Sequence, residues 1–213
     1  LADIAHQLRT PLTSVNLILS LLENSNDENE LKKFKREAEE LLLQMDWLIT
    51  SLLKISRLDA GIVVFKSEEI DVNKLISTAL RPFLISIELH NIDLQIHVEK
   101  GIVIHGDSGW LSEALQNIFK NCIESVGDNG RLQITCENNQ LFTEIVIHDS
   151  GDGFKKEDLP YLFKRFYRGK NTDATGYGIG LALCRMIITR QGGTITAKNH
   201  MQGGAVFSIH FPK

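Results

Sequence analysis

Apolar residues recur at alternating intervals of three and four positions through the first quarter of the chain. The first run is Ala5, Leu8, Leu12, Val15, Leu19 and Leu22, and after a polar stretch at 23–30 the second is Leu31, Phe34, Ala38, Leu41, Met45, Leu48, Leu52 and Ile55. This spacing puts the apolar side chains along one side of an α-helix. It predicts two helices joined by a short polar loop, which is an antiparallel helical hairpin.

A hairpin of only two helices leaves much of its own apolar stripe facing water. Contiguous apolar surface of this kind is normally buried against a partner, and two paired hairpins form a four-helix bundle. We therefore predict a homodimer through residues 1–60. The alternative is an intramolecular bundle closed by other helices, but the remainder of the chain does not have the pattern of a helix bundle.

After Gly61 the pattern changes to short β-rich runs that alternate with amphipathic segments. We predict strands at 62–65, 94–98, 132–136, 142–147, 194–197 and 205–211, and helices at 71–89, 108–126 and 180–191, with Asp71 as a helix N-cap. The predicted fold class is α+β, with a helical hairpin followed by an α/β sandwich domain over residues 61–213. With 213 residues, of which 43% are hydrophobic, the chain has enough apolar side chains to give each domain a core.

Composition excludes several classes of partner. The net charge is −4 and the basic residues are interspersed with acids, so we expect no nucleic-acid partner and no binding to an anionic membrane surface. Cys122, Cys136 and Cys184 have neither metal-binding nor disulfide-framework spacing, which favours buried reduced thiols. The sequence has no run of about 18 apolar residues, so we expect no membrane-spanning segment within it.

The segment from His6 to Leu12, HQLRTPL, places a histidine beside the apolar seam of the first predicted helix. We expect its imidazole on the flank of the bundle, where a neutral ring nitrogen can attack a phosphorus centre. The segment resembles the H-box of sensor histidine kinases, which usually reads His, an acid, Leu, Arg, Thr or Asn, Pro, Leu. The resemblance implies that His6 is the phosphoacceptor and that Thr10 positions a water during dephosphorylation.

Gln7 departs from this pattern, because the family usually has an acidic residue there. The resemblance implies that such an acid accepts the imidazole proton during phosphoryl transfer, and a neutral amide is not a general base. We expect slow autophosphorylation, or proton transfer to water or to another carboxylate.

The segment NIFKN carries Asn117 and Asn121 four residues apart, on one face of a predicted helix. Amide oxygens are hard neutral ligands suited to Mg²⁺. The segment resembles the N-box of histidine kinase ATPase domains, which implies that Asn121 ligates Mg²⁺ and that Asn117 contacts the phosphates or the metal's water shell. Glu124 and Ser125 stand where the family often has Lys and an aromatic residue. Lys120 is one candidate for the missing positive charge.

The segment DSGDG follows a predicted strand and resembles the G1 box. Gly151 and Gly153 have no Cβ, so the backbone can approach a flat ligand closely. The resemblance implies that Asp149 accepts a hydrogen bond from the exocyclic amine of adenine.

The segment GYGIGL has glycines at alternate positions, Gly176, Gly178 and Gly180, and is followed by an apolar helix that begins near Leu181. Backbone N–H groups at such a helix start bind phosphate. The spacing matches neither a Walker P-loop nor a Rossmann fingerprint. It resembles the G2 box of the same family.

The segment FKRFYR lies between the last two and resembles the F-box, followed by a polar stretch at 169–175. We predict that this stretch is a mobile lid over the phosphates. The resemblance implies that Phe166 anchors the lid and that Arg168 contributes positive charge to the nucleotide.

These segments occur in the order found in sensor histidine kinases, and the resemblance covers nearly the whole chain. It implies a dimerisation and histidine-phosphotransfer domain at 1–60 and an ATP-binding domain at 61–213, of the type shared with Hsp90-like ATPases. Expected ligands are ATP and Mg²⁺, and the expected partners are a second copy and a response regulator. We expect a cytoplasmic fragment of a protein whose full length is anchored in the cell membrane, through a segment outside this chain.

Two other functions remain open from the sequence alone. A nucleotide-sensing scaffold would bind ATP and a partner but transfer little phosphate, and Gln7 is compatible with that. An Hsp90-like or MutL-like ATPase would release free phosphate, although the hairpin with its H-box argues against this class.

Overall fold

The computed structural model describes residues 2–24, 27–169 and 176–213, without the side chains of residues 2–4 and of His6. The chain divides into two compact units, Leu1–Ser56 and Arg57–Lys213. Each unit has its own buried apolar residues, such as Leu48 in the first and Phe207 in the second, both 0% exposed.

Two long helices make up the first unit. Helix α1 is Ala2–Asn24 and helix α2 is Glu28–Asp59, which confirms the predicted helical hairpin. The carboxylate of Asp27 accepts the N–H of Asn29 at 2.8 Å, so an acidic side chain caps the start of α2.

Only some of the large apolar side chains of the two helices are buried within a single hairpin. Val15 and Ile18 of α1 and Ala38 and Leu48 of α2 are each at most 8% exposed. Other large apolar side chains are at least 41% exposed: Leu12, Leu17, Leu19, Leu21, Leu42, Leu43, Ile49 and Leu53. The first unit therefore presents an extensive apolar surface to solvent.

The second unit is built on a five-stranded mixed sheet. In chain order the strands are β1 (Glu68–Asp71), β2 (Asp93–His97), β3 (Val103–Gly106), β4 (Arg131–Asn138), β5 (Phe142–Asp149), β6 (Thr194–Asn199) and β7 (Ala205–Pro212). The sheet order is β2-β4-β5-β7-β6, with β2 parallel to β4 and the other neighbours antiparallel. Strands β1 and β3 form a separate antiparallel pair.

The helices of the second unit are α3 (Val72–Leu80), α4 (Leu84–Leu89), α5 (Ser108–Val126) and α6 (Gly180–Arg190). Along β5 every second residue, from Thr143 through Ile145 and Ile147 to Asp149, is buried, and the residues between are half-buried. This alternation shows that the helices cover one face of the sheet only. The α+β fold class predicted from the sequence is confirmed.

The predicted helix at 71–89 is interrupted. Asp71 is the N-cap, as predicted, and its Oδ1 accepts the N–H of Lys74 at 2.8 Å. The α-helix ends at Leu80, and a 3₁₀ turn at Arg81–Phe83 precedes α4. Pro82 explains the break, because proline lacks the backbone donor that an α-helix needs.

The predicted strand at 62–65 is wrong. This segment pairs with no strand of the described chain, and it runs instead along the start of α5. The ring of Phe65 meets Trp110 edge to face with centroids 5.7 Å apart, and Asp107 Oδ2 accepts the N–H of Lys66 at 3.0 Å. This segment has no neighbouring strand, and it is held against α5 by the carboxylate of Asp107 and by the contact between the Phe65 and Trp110 rings. The short strands β1 and β3 were missed by the sequence patterns.

Within the described ranges, none of the helices combines the length and the apolar character that crossing a bilayer requires.

Candidate functional site

The H-box residues lie in the N-terminal half of α1. The backbone of His6 is helical, but its side chain is outside the described residues. Gln7 is half-buried and Thr10 is exposed. Pro11 cannot donate to the carbonyl of Gln7, so one helical hydrogen bond is missing in the turn that contains the predicted phosphoacceptor.

The two N-box asparagines are oriented by the carbonyls of their own helix, α5. The amide nitrogen of Asn117 donates to Glu113 O at 2.9 Å, and that of Asn121 donates to Asn117 O at 2.7 Å. Because each amide nitrogen is engaged, each Oδ1 is directed elsewhere. Two amide oxygens one helical turn apart fit a Mg²⁺ ion that also keeps several waters.

Asp149 ends β5 and is only 1% exposed. Its Oδ1 accepts the N–H groups of Gly151 at 2.9 Å and Ala205 at 3.2 Å. A buried carboxylate is held by such bonds in one orientation, with acceptor capacity left for a ligand. Burial raises the pKa of the Cys122 thiol, on α5, and the nearby carboxylate of Asp149 raises it further.

The first glycine of the G1 segment packs directly on α5. A Cβ atom on Gly151 would overlap the hydroxyl of Ser125 and come within 2.7 Å of the Ser125 carbonyl oxygen. Gly153 has φ +72°, and a Cβ there would lie 2.7 Å from Asn199 Oδ1. Glycine is thus required at both positions, once by close approach and once also by the dihedral angle.

The G2 glycines contact two other segments. A Cβ atom on Gly180 would lie 2.7 Å from Asn117 Oδ1, so the start of α6 lies against the N-box. Gly178 has φ +67°, and a Cβ there would overlap the Tyr167 carbonyl oxygen. Its own carbonyl accepts the N–H of Phe166 at 2.8 Å, and Phe166 itself has φ +62°. The F-box and G2 box are therefore one folded unit.

The other predicted site residues are Leu181, Gly176, Lys120 and Arg168. Leu181 is 9% exposed and part of the core, whereas nothing lies within 4 Å of a Cβ added to Gly176. Lys120 Nζ is 3.8 Å from Glu124, whose pKa is raised by burial and partly lowered by that lysine. Arg168 is exposed, and its charge opposes the rise that burial causes in the pKa of Tyr177. Apart from Gly169, the predicted lid lies outside the described residues.

Sequence patterns missed Asn199, at the end of β6. Its amide nitrogen donates to Phe154 O at 2.6 Å, and its Oδ1 accepts the Phe154 N–H at 2.7 Å. This paired contact holds the loop that follows Gly153. No motif indicates the role, because Asn199 is 45 residues from Phe154 and resembles an ordinary turn residue.

The second unit therefore brings four sequence-distant segments into one continuous region. That region offers amide oxygens for a cation, backbone N–H groups at the start of α6 for phosphates, and an oriented carboxylate for a base amine. These are the groups needed to bind a nucleoside triphosphate.

Two family models match the chain. Residues 1–61 match the His Kinase A (phospho-acceptor) domain. Residues 106–213 match the histidine kinase-, DNA gyrase B- and HSP90-like ATPase family.

Curated relatives align over nearly the whole chain. Heme sensor protein HssS of Staphylococcus saprophyticus is 29% identical over 99% of this chain and 45% of its own length. Signal transduction histidine-protein kinase BaeS of Escherichia coli is 27% identical over 100% of this chain and 46% of its own length. The chain thus spans about half the length of the curated relatives it matches.

Solved structures are similar as well. Histidine kinase ThkA, crystallised in complex with response regulator protein TrrA, superposes with a TM-score of 0.81 at 26% identity, over 100% of this chain and 60% of that one. Acinetobacter baumannii histidine kinase AdeS has a TM-score of 0.79 at 24% identity, over 97% of each chain, a likeness of fold.

Proposed function

Because the chain belongs to the sensor histidine kinases of two-component systems, we propose that it uses ATP to phosphorylate His6 and then passes the phosphoryl group to a response regulator. The hairpin at 1–60 would be the phosphotransfer and dimerisation domain, and residues 61–213 the ATP-binding domain.

The convergence of the N-box, G1 and G2 segments carries this proposal. Gly180 lies against Asn117, and Gly151 lies against Ser125, although the two members of each pair are far apart in the chain. One ligand that reaches from the carboxylate of Asp149 to the amides of α5 would use all three segments, with adenine at the first and phosphates at the second.

Transfer forms a bond between an imidazole nitrogen of His6 and the γ-phosphorus, breaks the bond from that phosphorus to the β,γ-bridging oxygen, and leaves ADP. The neutral imidazole attacks with its lone pair, so the ring must also release its N–H proton. Gln7 cannot accept that proton, so water or another carboxylate must do so. Asn121, with Asn117 beside it, would hold Mg²⁺, which supplies positive charge against the triphosphate when bound.

The phosphoryl group then moves to an aspartate of the regulator's receiver domain. ThkA was crystallised with a response regulator, which supports a partner of this kind for a similar kinase core. Hydrolysis of the phosphorylated aspartate of the regulator would use Thr10, whose exposed position on α1 suits a residue that orients a water.

The exposed apolar residues of the first unit support a homodimer through the hairpin. Leu17 is 61% and Leu43 is 71% exposed in the single chain. Two hairpins that bury these side chains against each other would form a four-helix bundle.

We also propose a sensor segment and a membrane anchor elsewhere in the full-length protein, with this catalytic part in the cytoplasm. The support is that a relative named as a heme sensor is about twice as long as the part it shares with this chain.

Incubation with γ-labelled ATP tests the function. The parent protein should gain label that is stable to alkali and labile to acid, and His6→Ala should gain none. If the parent gains no label but binds ATP, the chain is a nucleotide-sensing scaffold. If it releases free phosphate at a rate that His6→Ala does not change, it is an Hsp90-like ATPase.

A further inference from the structure

A cavity of about 270 Å³ opens on the sheet face opposite the helices. Its polar lining comes from Gln133 and Thr135 of β4, His148 of β5, Lys198 of β6 and His200, which follows β6. Two valines complete the lining, and none of the lining residues is acidic. An amine, two imidazoles, an amide and a hydroxyl around one concave space are donors suited to an anion.

Acidic residues on the same sheet face do not neutralise this cavity. Asp93 is paired with Arg131 at 3.2 Å, and Glu144 is paired with His210 at 3.2 Å. Glu137 faces Glu144 in the register of β4 and β5, toward the end of the strands away from His148. The remaining titratable side chains that the strand registers place on this face are His97, His148 and Lys198, and His200 joins them in the lining of the cavity.

The two cavity histidines are stacked, with ring centroids 4.2 Å apart and planes inclined by 35°. His148 Nε2 lies 3.2 Å from the carbonyl oxygen of Gly203, so this nitrogen carries a proton and donates it. Nδ1 of His200 accepts the N–H of Gln202 at 3.2 Å, so the proton of that ring is on Nε2. One nitrogen of each ring, Nδ1 of His148 and Nε2 of His200, is not engaged by these two bonds.

Lys198 supplies a positive charge to this lining, and an anion in the cavity would be attracted to it.

The turn at 200–204 connects the cavity to Asp149. His200 N–H donates to Gly204 O at 2.9 Å, and Gly204 packs so closely on the Asp149 carbonyl that no Cβ would fit. The next N–H, from Ala205, binds Asp149 Oδ1 at 3.2 Å. Asn199, on the other side of His200, holds the loop after the G1 glycines. The residues that flank His200 thus hold the G1 box in place.

We propose that this cavity binds inorganic phosphate or the phosphate group of a small molecule, and that its occupancy raises the affinity of the Asp149 site for adenine nucleotide. The coupling rests on the proposed nucleotide site, whereas anion binding in the cavity does not depend on that site. A ligand that contacts both His148 and His200 would tie β5 to the turn that positions Asp149, so the two sites would bind cooperatively.

Binding is tested by titrating the chain, labelled at histidine, with inorganic phosphate and separately with glycerol phosphate, while the imidazole resonances are followed by NMR. We expect saturable shifts of His148 and His200, and affinities at least about fivefold weaker in His148→Asn and Lys198→Met, because the first removes an imidazole from the lining and the second removes its positive charge. The matched control is His97→Asn, on the same face outside the cavity, which should bind as the parent does. Tighter binding of glycerol phosphate identifies an organic phosphate as the ligand, and equal binding identifies the inorganic ion.

Shifts that are linear in phosphate, or equal binding by the parent, His148→Asn and Lys198→Met, would overturn the site. Gly180→Ala, which perturbs the nucleotide region, should leave phosphate binding at the cavity unchanged.

The coupling is tested by whether phosphate raises or lowers the affinity for ADP. Phosphate that competes in the nucleotide site would weaken ADP binding, whereas occupancy of the cavity should tighten it by about threefold in the parent and not in His148→Asn. Saturable cavity binding with an unchanged ADP affinity would overturn the coupling and leave the anion site standing.

Discussion

Arg165 in the F-box and Asp59 at the end of α2 form an ion pair, with a 2.6 Å hydrogen bond from a guanidinium nitrogen to Asp59 Oδ1. Both residues belong to the second compact unit. The bond to Arg165 is the main cause that lowers the pKa of Asp59 below its usual value. The pair therefore ties the segment before Gly61 to the segment that contains Phe166.

Replacing Asp59 by Asn should lower the stability of the second unit only slightly. Both side chains are partly exposed, at 49% and 41%, so we expect less than about 1 kcal/mol. Because the folded-state pKa is depressed, the contribution is present above the unfolded-state pKa and disappears as pH falls through the folded-state pKa. Urea unfolding of parent and Asp59→Asn should therefore differ at pH 7 and converge in strong acid. A constant difference across that range would exclude the ion pair as its cause.

Gln7→Glu should raise the rate of autophosphorylation. A carboxylate beside His6 can accept the imidazole proton as the phosphoryl group is transferred, and general-base catalysis of this kind typically contributes about 10²–10⁴-fold. The initial rate of label incorporation from γ-labelled ATP measures the effect. Asn16→Asp, an exposed acid added elsewhere on α1, is the control and should leave the rate unchanged. An unchanged or lower rate in Gln7→Glu would refute the general-base argument.

Gly180→Ala should weaken nucleotide binding, because the new methyl group would stand 2.7 Å from Asn117 Oδ1. We expect at least a tenfold loss of affinity, which is about 1.4 kcal/mol. Gly176→Ala is a matched control in the same segment, since nothing lies within 4 Å of its Cβ position. Titration with a fluorescent ADP analogue compares the two. Equal affinities would show that the close approach of α6 to the N-box is not needed for binding.

Asp149→Asn should reduce the preference for adenine over guanine. The asparagine oxygen can still accept the N–H groups of Gly151 and Ala205, but an NH₂ group then replaces the acceptor offered to the base. This NH₂ group would face the exocyclic amine of adenine as donor against donor, whereas it could donate a hydrogen bond to the carbonyl oxygen of guanine. The ratio of ADP to GDP affinity is the measurement, with exposed Asp152→Asn as control. A ratio that falls equally in both variants would assign the loss to charge rather than to recognition.

Leu43→Glu should disrupt the proposed dimer and give a monomer, because it replaces a 71% exposed apolar side chain of the hairpin by a charged one. Sedimentation equilibrium measures the mass. Lys35→Glu also changes a charge on α2, at an exposed polar position, and should remain dimeric. Dimerisation that persists in Leu43→Glu would place the interface elsewhere.

Elements with a long, regular pattern were predictable from the sequence. Hydrophobic spacing alone places α1 and α2, and the turn residues around the alternating runs place the five strands of the main sheet within about two residues at each end. The same reasoning failed at 62–65, where strand-forming residues have no neighbouring strand to pair with. It also missed β1 and β3, because four-residue strands have too little pattern to be recognised.

The candidate site was predictable as a set of segments but not as a geometry. Residue type and spacing identify the two asparagines of α5, the carboxylate that ends β5 and the glycines before α6, since each local sequence has its own chemistry. Which glycine contacts which partner depends on packing between distant elements, as with Gly180 and Asn117. Asn199, which holds the G1 loop, carries no local signal for the same reason.

The helical hairpin, the succession of strands and helices, and the chemical groups of the candidate site could be read from the sequence, because periodicity and side-chain chemistry are local properties. The contacts of Gly151 with Ser125, of Gly180 with Asn117 and of His148 with His200 depend instead on the tertiary fold. Those contacts join residues far apart in the chain. They depend on strand order and helix packing, which the whole fold sets through burial of its apolar core.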